Sequence, residues 1–131
     1  MDELPIGAGE DVVRVRQQVR AAAAEAGMSL VDQTKVVTAA SELARNTLVH
    51  GGGGAARIER VTSAVGRAGV RVSFRDSGPG IADLDLALTD GWTSGSGLGL
   101  GLSGARRLVD EFDLTSQPGS GTSVVVTKWS R

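Results

Sequence analysis

The sequence has no cysteine and no tyrosine, and aromatic residues make up only 3% of its 131 positions. Without cysteine there is neither a disulfide scaffold nor a thiolate metal site, which fits a reducing cytoplasm. A positive charge excess is missing too, since 14 Lys and Arg face 15 Asp and Glu. That balance argues against nucleic acid as a partner, because binding a phosphate backbone depends on such an excess. No apolar run approaches a membrane span, and the acidic start MDELPIG lacks the basic, hydrophobic pattern of a secretory signal. The single histidine, His50, cannot build a metal site unaided and reads as a structural helix-end residue. The expectation is a cytoplasmic chain, 1–131, forming one domain that binds neither nucleic acid nor membrane.

What the chain has instead is glycine, 19 residues gathered at Gly51–Gly54, Gly78–Gly80, Gly91–Gly104 and Gly119–Gly121. A flexible linker would not be interrupted by strongly patterned apolar segments. Glycine clusters between regular elements imply that the backbone must approach something closely.

The segment EDVVRVRQQVRAAAAEAG places Val12, Val15, Val19, Ala22 and Ala26 at helical spacing, with Glu10 and Asp11 at the favoured end and Gly27 as a stop. A second helix is predicted from Ser29, with Asp32 three residues on in a capping-box pattern. Its apolar arc is Val36, Ala40, Leu43, Ala44, Thr47 and Leu48. Glu42 and Asn46 lie together on the opposite face, available to a ligand or to water. Strands are predicted over Ala56–Val65 and Val70–Asp76, with GRAG (Gly66–Gly69) as the hairpin turn. The alternation puts Val70, Val72, Phe74 and also Asp76 on one inner face. A carboxylate in phase with core residues is costly unless something pairs with it. Leu102, Ala105, Leu108 and Val109 then define a helix whose N-terminal entry is glycine-rich, and FDLTS and TSVVVTKW read as strands joined around QPGSG. The element order predicts an α/β (α+β) two-layer sandwich, with helices on one face of a mixed, mainly antiparallel sheet.

Three motifs can carry chemistry. In DSGPGI, Asp76 at a strand end can accept a hydrogen bond from a buried exocyclic amine, while Gly78 and Gly80 let the backbone lie flat against an aromatic base. A plain turn is the other reading. In GSGLGLGL, Gly95–Leu102, side-chain-free N–H groups at a helix start form an anion cradle suited to phosphate, or else a flexible loop. In ELARNTLVHGGGG, the Asn46 amide oxygen together with triphosphate oxygens suffices for Mg²⁺. Glu42, one turn away, can orient or deprotonate an attacking hydroxyl. A surface Glu and Asn is the alternative.

In this fixed order, closed by a threonine on the last strand, the motifs resemble the GHKL ATPases. This Bergerat-fold group includes histidine kinases, gyrase-like enzymes and anti-sigma kinases. Glu42 and Asn46 match the N box, and Asp76, Gly78 and Gly80 match the first glycine box. Gly95, Gly97, Gly99 and Gly101, followed by Leu102, match the second, and Thr122 matches the final threonine. SELARNTLVHGGGG and DLDLALTDGWTSGSGLGLGL further resemble the small serine/threonine switch kinases of bacterial partner-switching (stressosome) pathways, the RsbT type.

The resemblance implies ATP and Mg²⁺ as cofactors, Asn46 as the metal ligand and Glu42 as the catalytic base. Asp76 would bind the adenine amine, supported by Thr122 through a water, so that the inner carboxylate finds its partner in the base. Ile81–Ser94 would be the ATP lid. The implied substrate is a serine or threonine of a STAS-domain antagonist protein, with activation of a PP2C-type phosphatase once the kinase is released. The alternative within the same fold is a nucleotide-binding anti-sigma factor that sequesters a sigma factor. The N-box glutamate favours the kinase, since binding alone needs no base.

Overall fold

The computed structural model describes residues 3–78, 101–116, 119 and 121–130. Strand β1 (Glu3–Ile6) is followed by helices α1 (Gly9–Glu25) and α2 (Leu30–Val49), then strands β2 (Gly54–Thr62) and β3 (Ala68–Asp76). Helix α3 (Gly101–Leu108) precedes strands β4 (Glu111–Ser116) and β5 (Thr122–Trp129). The strands form one sheet in the order β1-β2-β3-β5-β4, and every described pairing is antiparallel.

Helix α1 starts where the sequence places it, and Asp11 shows why. Its Oδ2 accepts the N–H groups of Gly7 (2.9 Å) and Ala8 (3.1 Å), and Arg14 donates to Oδ1 at 2.6 Å. The Gly7 N–H foremost, with the Arg14 guanidinium and the Ala8 N–H, outweighs partial desolvation and holds this carboxyl below the usual aspartate range. The buried stripe is Val12, Val15, Val19 and Ala23, so the core-facing alanine is Ala23, with the predicted Ala22 only half-buried. The chain leaves the helix through Gly27, whose φ of 81° lies in the left-handed region that glycine tolerates. For α2, Ser29 Oγ accepts the Asp32 N–H at 3.1 Å, as the capping pattern requires.

The turn of the β2–β3 hairpin falls earlier than the sequence implies: β2 ends at Thr62, and Ala68 and Gly69 of the predicted GRAG turn already belong to β3, paired with Thr62 and Val61. Val65 does not end β2; it sits 86% exposed at the tip of a turn. That turn closes through Ser63 N–H to Arg67 O (2.8 Å) and Gly66 N–H to Ser63 O (3.0 Å). The strand β1, which the sequence reading did not foresee, covers the edge of β2 and buries Ile6.

Register explains the two layers. Ala56 and Ile58 on β2 lie opposite Phe74 and Val72 on β3, which in turn lie opposite Val124 and Val126 on β5. All six are buried, beneath helices α1 and α2. The intervening residues Arg57, Glu59, Arg71, Ser73 and Arg75 make the other face polar. Helix α2 turns Ala39, Ala40 and Ala44 into the core and packs against both α1 and α3. Small side chains there let the helix axes approach closely. The expected sandwich is thus present, with the Asp76 end of β3 beside the glycine turn that leaves α2.

Candidate functional site

Helix α2 ends one turn after Asn46. The N–H groups of His50 (2.9 Å) and Gly51 (3.2 Å) both donate to the Asn46 carbonyl, and Gly53 N–H reaches back to Thr47 O at 3.0 Å. Gly52 and Gly53 have φ of 73° and 111°, conformations that ordinary residues rarely adopt. This is how four glycines turn the chain from helix into β2 within a few residues. His50 is the helix C-cap, in agreement with its sequence reading.

The turn is closed against Asp76. A Cβ on Gly51 would overlap the Asp76 carboxylate, and one on Gly78 would stand 2.8 Å from the Gly51 Cα. Gly121, with φ of 90°, passes so close to the backbone of Asp76 and Ser77 that a side chain there has no room. Three chain segments therefore meet at one carboxylate with only backbone between them. They are the exit of α2, the end of β3 and the start of β5.

The carboxylate is oriented from within the protein. Gly78 N–H donates to Asp76 Oδ1 at 2.9 Å and Thr122 N–H to the same oxygen at 3.3 Å. Part of the cost of an inner aspartate is thus met by the protein itself, since backbone donors already hold one oxygen. None of the described hydrogen bonds uses Oδ2. Thr122 is fixed in turn, its hydroxyl 3.1 Å from Ser116 Oγ, which also lies 3.1 Å from Gly121 O. A cavity of about 320 Å³ opens beside Asp76, lined by Gly51–Gly54, Ala55, Arg75 and Ser77.

Glu42 and Asn46 are both half-buried on α2 and flank its buried face beside Ala39 and Leu43, rather than standing on the opposite face as the periodicity implied. Arg45 Nη1 lies 3.4 Å from Glu42 Oε1, a pairing that the i,i+3 spacing made readable but that the sequence reading did not draw. Gly101 opens α3, and the side chain of Leu102 is buried in the core. Gly80, Gly95, Gly97, Gly99 and the lid segment 81–94 lie outside the described residues. Two contributors escaped the sequence reading: Gly51, although it lies within the GGGG signal, and Ser116, which had no signal.

The residues suit an adenine nucleotide. An acceptor held by two backbone donors, with its second oxygen uncommitted among the described hydrogen bonds, matches an exocyclic amine. Among the described residues no group of three or more His, Cys, Asp or Glu is placed to hold a metal. An amide oxygen supplemented by phosphate oxygens is the donor set these residues offer to Mg²⁺.

Comparison with known proteins points the same way. A family described as histidine kinase-, DNA gyrase B-, and HSP90-like ATPase matches residues 31–130. The serine/threonine-protein kinase RsbT of Bacillus subtilis (strain 168) is 44% identical over 121 residues, covering 92% of this chain and 90% of its own. The anti-sigma F factor of Bacillus cereus (strain G9842) is 30% identical over 118 residues, covering 87% of this chain and 81% of its own. Among solved structures, the RsbU and RsbW domains of a Mycobacterium tuberculosis protein align with all of this chain, with a TM-score of 0.63 and 26% identity. The chain spans 33% of that structure. The catalytic domain of histidine kinase ThkA shares the fold, with a TM-score of 0.54 at 17% identity over 99% of both chains.

Proposed function

We infer that this chain, which belongs to the histidine kinase-, DNA gyrase B- and HSP90-like ATPases, is an ATP- and Mg²⁺-dependent protein serine/threonine kinase working as a partner-switching regulator. The observation that carries the reading is the 44% identity to a serine/threonine-protein kinase over 92% of the chain. The oriented Asp76 carboxylate supports it independently of that likeness.

In this reading Asp76 accepts the adenine amine on Oδ2 while Gly78 and Thr122 keep its Oδ1 fixed. The side chain of Asn46 holds Mg²⁺. Gly95, Gly97, Gly99 and Gly101 with the Leu102 main chain would hold the phosphates, and Gly80 the base, as the glycine-box motifs imply. Bound Mg²⁺–ATP supplies the phosphoryl group and the charge that neutralises it. Glu42 receives the proton of the incoming serine or threonine hydroxyl, and Arg45 beside it keeps the carboxylate aligned. Little covalent work falls to the protein, so catalysis rests on position and charge.

The acceptor is a STAS-domain antagonist protein, and the released kinase activates a PP2C-type phosphatase in the cytoplasm. Incubating the purified chain with labelled ATP, Mg²⁺ and a STAS-domain protein from the same organism tests this. Label on serine or threonine supports the kinase. Its absence, with tight ATP-dependent capture of a sigma factor instead, supports the second reading, an anti-sigma factor, which the 30% identity to an anti-sigma F factor favours.

A further inference from the structure

The inner face of the sheet changes character at one end of β3, β5 and β4. Val72, Val126 and Phe112 lie side by side across these three strands, and Phe74, Val124 and Leu114 form the next row. One row further, strand alternation brings Asp76, Thr122 and Ser116 onto the same face, all three half-buried. Apolar rows thus give way to a polar one. Ser116 stands outside the sequence motifs, yet its Oγ lies 3.1 Å from Gly121 O and 3.1 Å from Thr122 Oγ1.

Counting protons fixes the direction of each bond. A hydroxyl has one proton to give, and a carbonyl can only accept. Ser116 therefore donates to Gly121 O, and Thr122 donates its own proton to Ser116 Oγ. That leaves Thr122 Oγ1 with lone pairs alone to offer a ligand. The Thr122 N–H is already committed to Asp76 Oδ1 at 3.3 Å, as is the Gly78 N–H at 2.9 Å. Asp76 Oδ2, a carboxylate oxygen, is an acceptor as well. Among the described hydrogen bonds, then, every side-chain oxygen that Asp76 and Thr122 leave open is an acceptor.

We propose that Ser116 is a positioning residue that sets base specificity. By drawing the Thr122 proton away from the ligand, it keeps the Asp76–Thr122 edge free of donors. Such an edge takes a base bearing a 6-amino group, whose two N–H bonds both find acceptors. A 6-oxo base sets lone pairs against lone pairs and leaves the carboxylate oxygen unpaired, and a site built for one hydrogen-bonding pattern discriminates strongly on that ground. Without Ser116 the Thr122 hydroxyl turns to suit its surroundings, and a carbonyl then meets a donor.

The inference rests on the nucleotide site proposed above, and the test separates the two. Calorimetry in EDTA compares ADP with inosine diphosphate (IDP), which differs from it only in a 6-oxo group and a proton on N1. The wild type, Ser116→Ala, Ser116→Cys, Ser116→Thr, Thr122→Val and Ser116→Ala/Thr122→Val are measured, alongside Tm. The wild type is expected to prefer ADP, and Ser116→Ala to lower that preference by roughly fivefold or more. Ser116→Cys, with a poor acceptor in place of the hydroxyl, shows the same change with smaller size, and Ser116→Thr keeps the wild-type preference. Once Thr122→Val has removed the partner hydroxyl, adding Ser116→Ala changes the preference less than twofold. The proposal is overturned if the preference in Ser116→Ala stays within twofold of wild type, or in Ser116→Cys should the alanine variant not fold. A parallel fall of both affinities with Tm, the mark of a merely structural role, is that same result. It is equally overturned if Ser116→Ala lowers the preference as far in the Thr122→Val background, or if the wild type binds ADP and IDP alike. A wild-type chain that binds neither nucleotide would instead remove the nucleotide site itself.

Discussion

Replacing Gly51 with alanine tests the geometry around Asp76 most directly. The new Cβ would stand 2.6 Å from Asp76 Cβ and Oδ2, where ordinary contact begins near 3.4 Å. The carboxylate must retreat by that difference, because Gly51 is itself fixed by its N–H bond to Asn46 O. The 3.3 Å bond from Thr122 N–H has the least slack and breaks first, ahead of the 2.9 Å bond from Gly78. A hydrogen bond to a charged group contributes about 1.5–3 kcal/mol. Losing that amount from folding lowers stability, and losing the aligned adenine contact weakens ATP by about 10- to 100-fold. Gly66→Ala, in the β2–β3 turn at the other end of the hairpin from Asp76, is the matched control. Its φ of 85° makes alanine strained, at a cost of about 1–2 kcal/mol. A Cβ there meets no atom within 4 Å, so ATP affinity should be untouched. Isothermal calorimetry with ATP and Mg²⁺, paired with thermal unfolding, separates the two variants. If Gly51→Ala binds ATP within twofold of wild type, the carboxylate is not the anchor proposed here.

Three other outcomes are expected. Asn46→Ala should abolish the Mg²⁺-dependent part of ATP affinity while leaving ADP binding in EDTA within twofold, as read by calorimetry. Glu42→Ala should retain ATP binding and slow transfer to the STAS-domain acceptor by about 10²- to 10⁴-fold, the range for a positioned acid–base group; transfer at the original rate would dismiss Glu42 as the base. The Asp11 carboxyl is held below the usual range, chiefly by the Gly7 N–H. Its contribution to stability is therefore complete above the ordinary aspartate pKa of about 3.9 and is lost as pH falls below it. Asp11→Asn should flatten that part of the acid-unfolding curve without changing Tm dependence near neutrality.

Periodicity and turn composition made α1, α2, α3 and two of the strand pairings, β2 with β3 and β4 with β5, readable, because each buries an apolar stripe or an alternating face. Strand β1 was not readable. ELPI is four residues long and interrupted by Pro5, too short for alternation to register. It exists because β2 offers it an edge, and Pro5, lacking an N–H, suits an outermost strand. The start of β2 was missed by two residues for a related reason. Gly54 looks like loop, yet it pairs with Ile6 on one side and Asp76 on the other. Val65 erred the other way, since its side chain suits a strand while Gly66, at φ of 85°, closes the turn around it. Within the site, alternation correctly put Asp76 on the inner face. The donors that hold it could not be foreseen, because Thr122 N–H arrives from 46 residues away.

The scarcity of aromatics and the abundance of glycine have one consequence for α2. Its core face is largely alanine and valine, and at its C-terminal end Thr47 packs directly over Gly54, where any Cβ would clash with the threonine methyl. The helix can therefore lie close to the sheet, and its last turn is located by backbone contact, through Gly51 against Asp76 and Gly53 against Thr47 O. Its first turn is located by charge, through Asp32 and Lys128. Backbone contact tolerates almost no displacement, whereas charges more than 3.5 Å apart permit small rotations at little cost. Any adjustment of α2 on partner or nucleotide binding should thus pivot about the Gly51–Asp76 contact and be absorbed at the Lys128 end. Salt weakens the exposed pairs Arg60–Glu25 and Arg75–Glu3 before it reaches the buried Lys128 and its partners Asp32 and Asp110. Raising ionic strength should therefore lower Tm through the exposed pairs first, before the first turn of α2 is released from β5, as thermal unfolding at stepped salt concentrations would read.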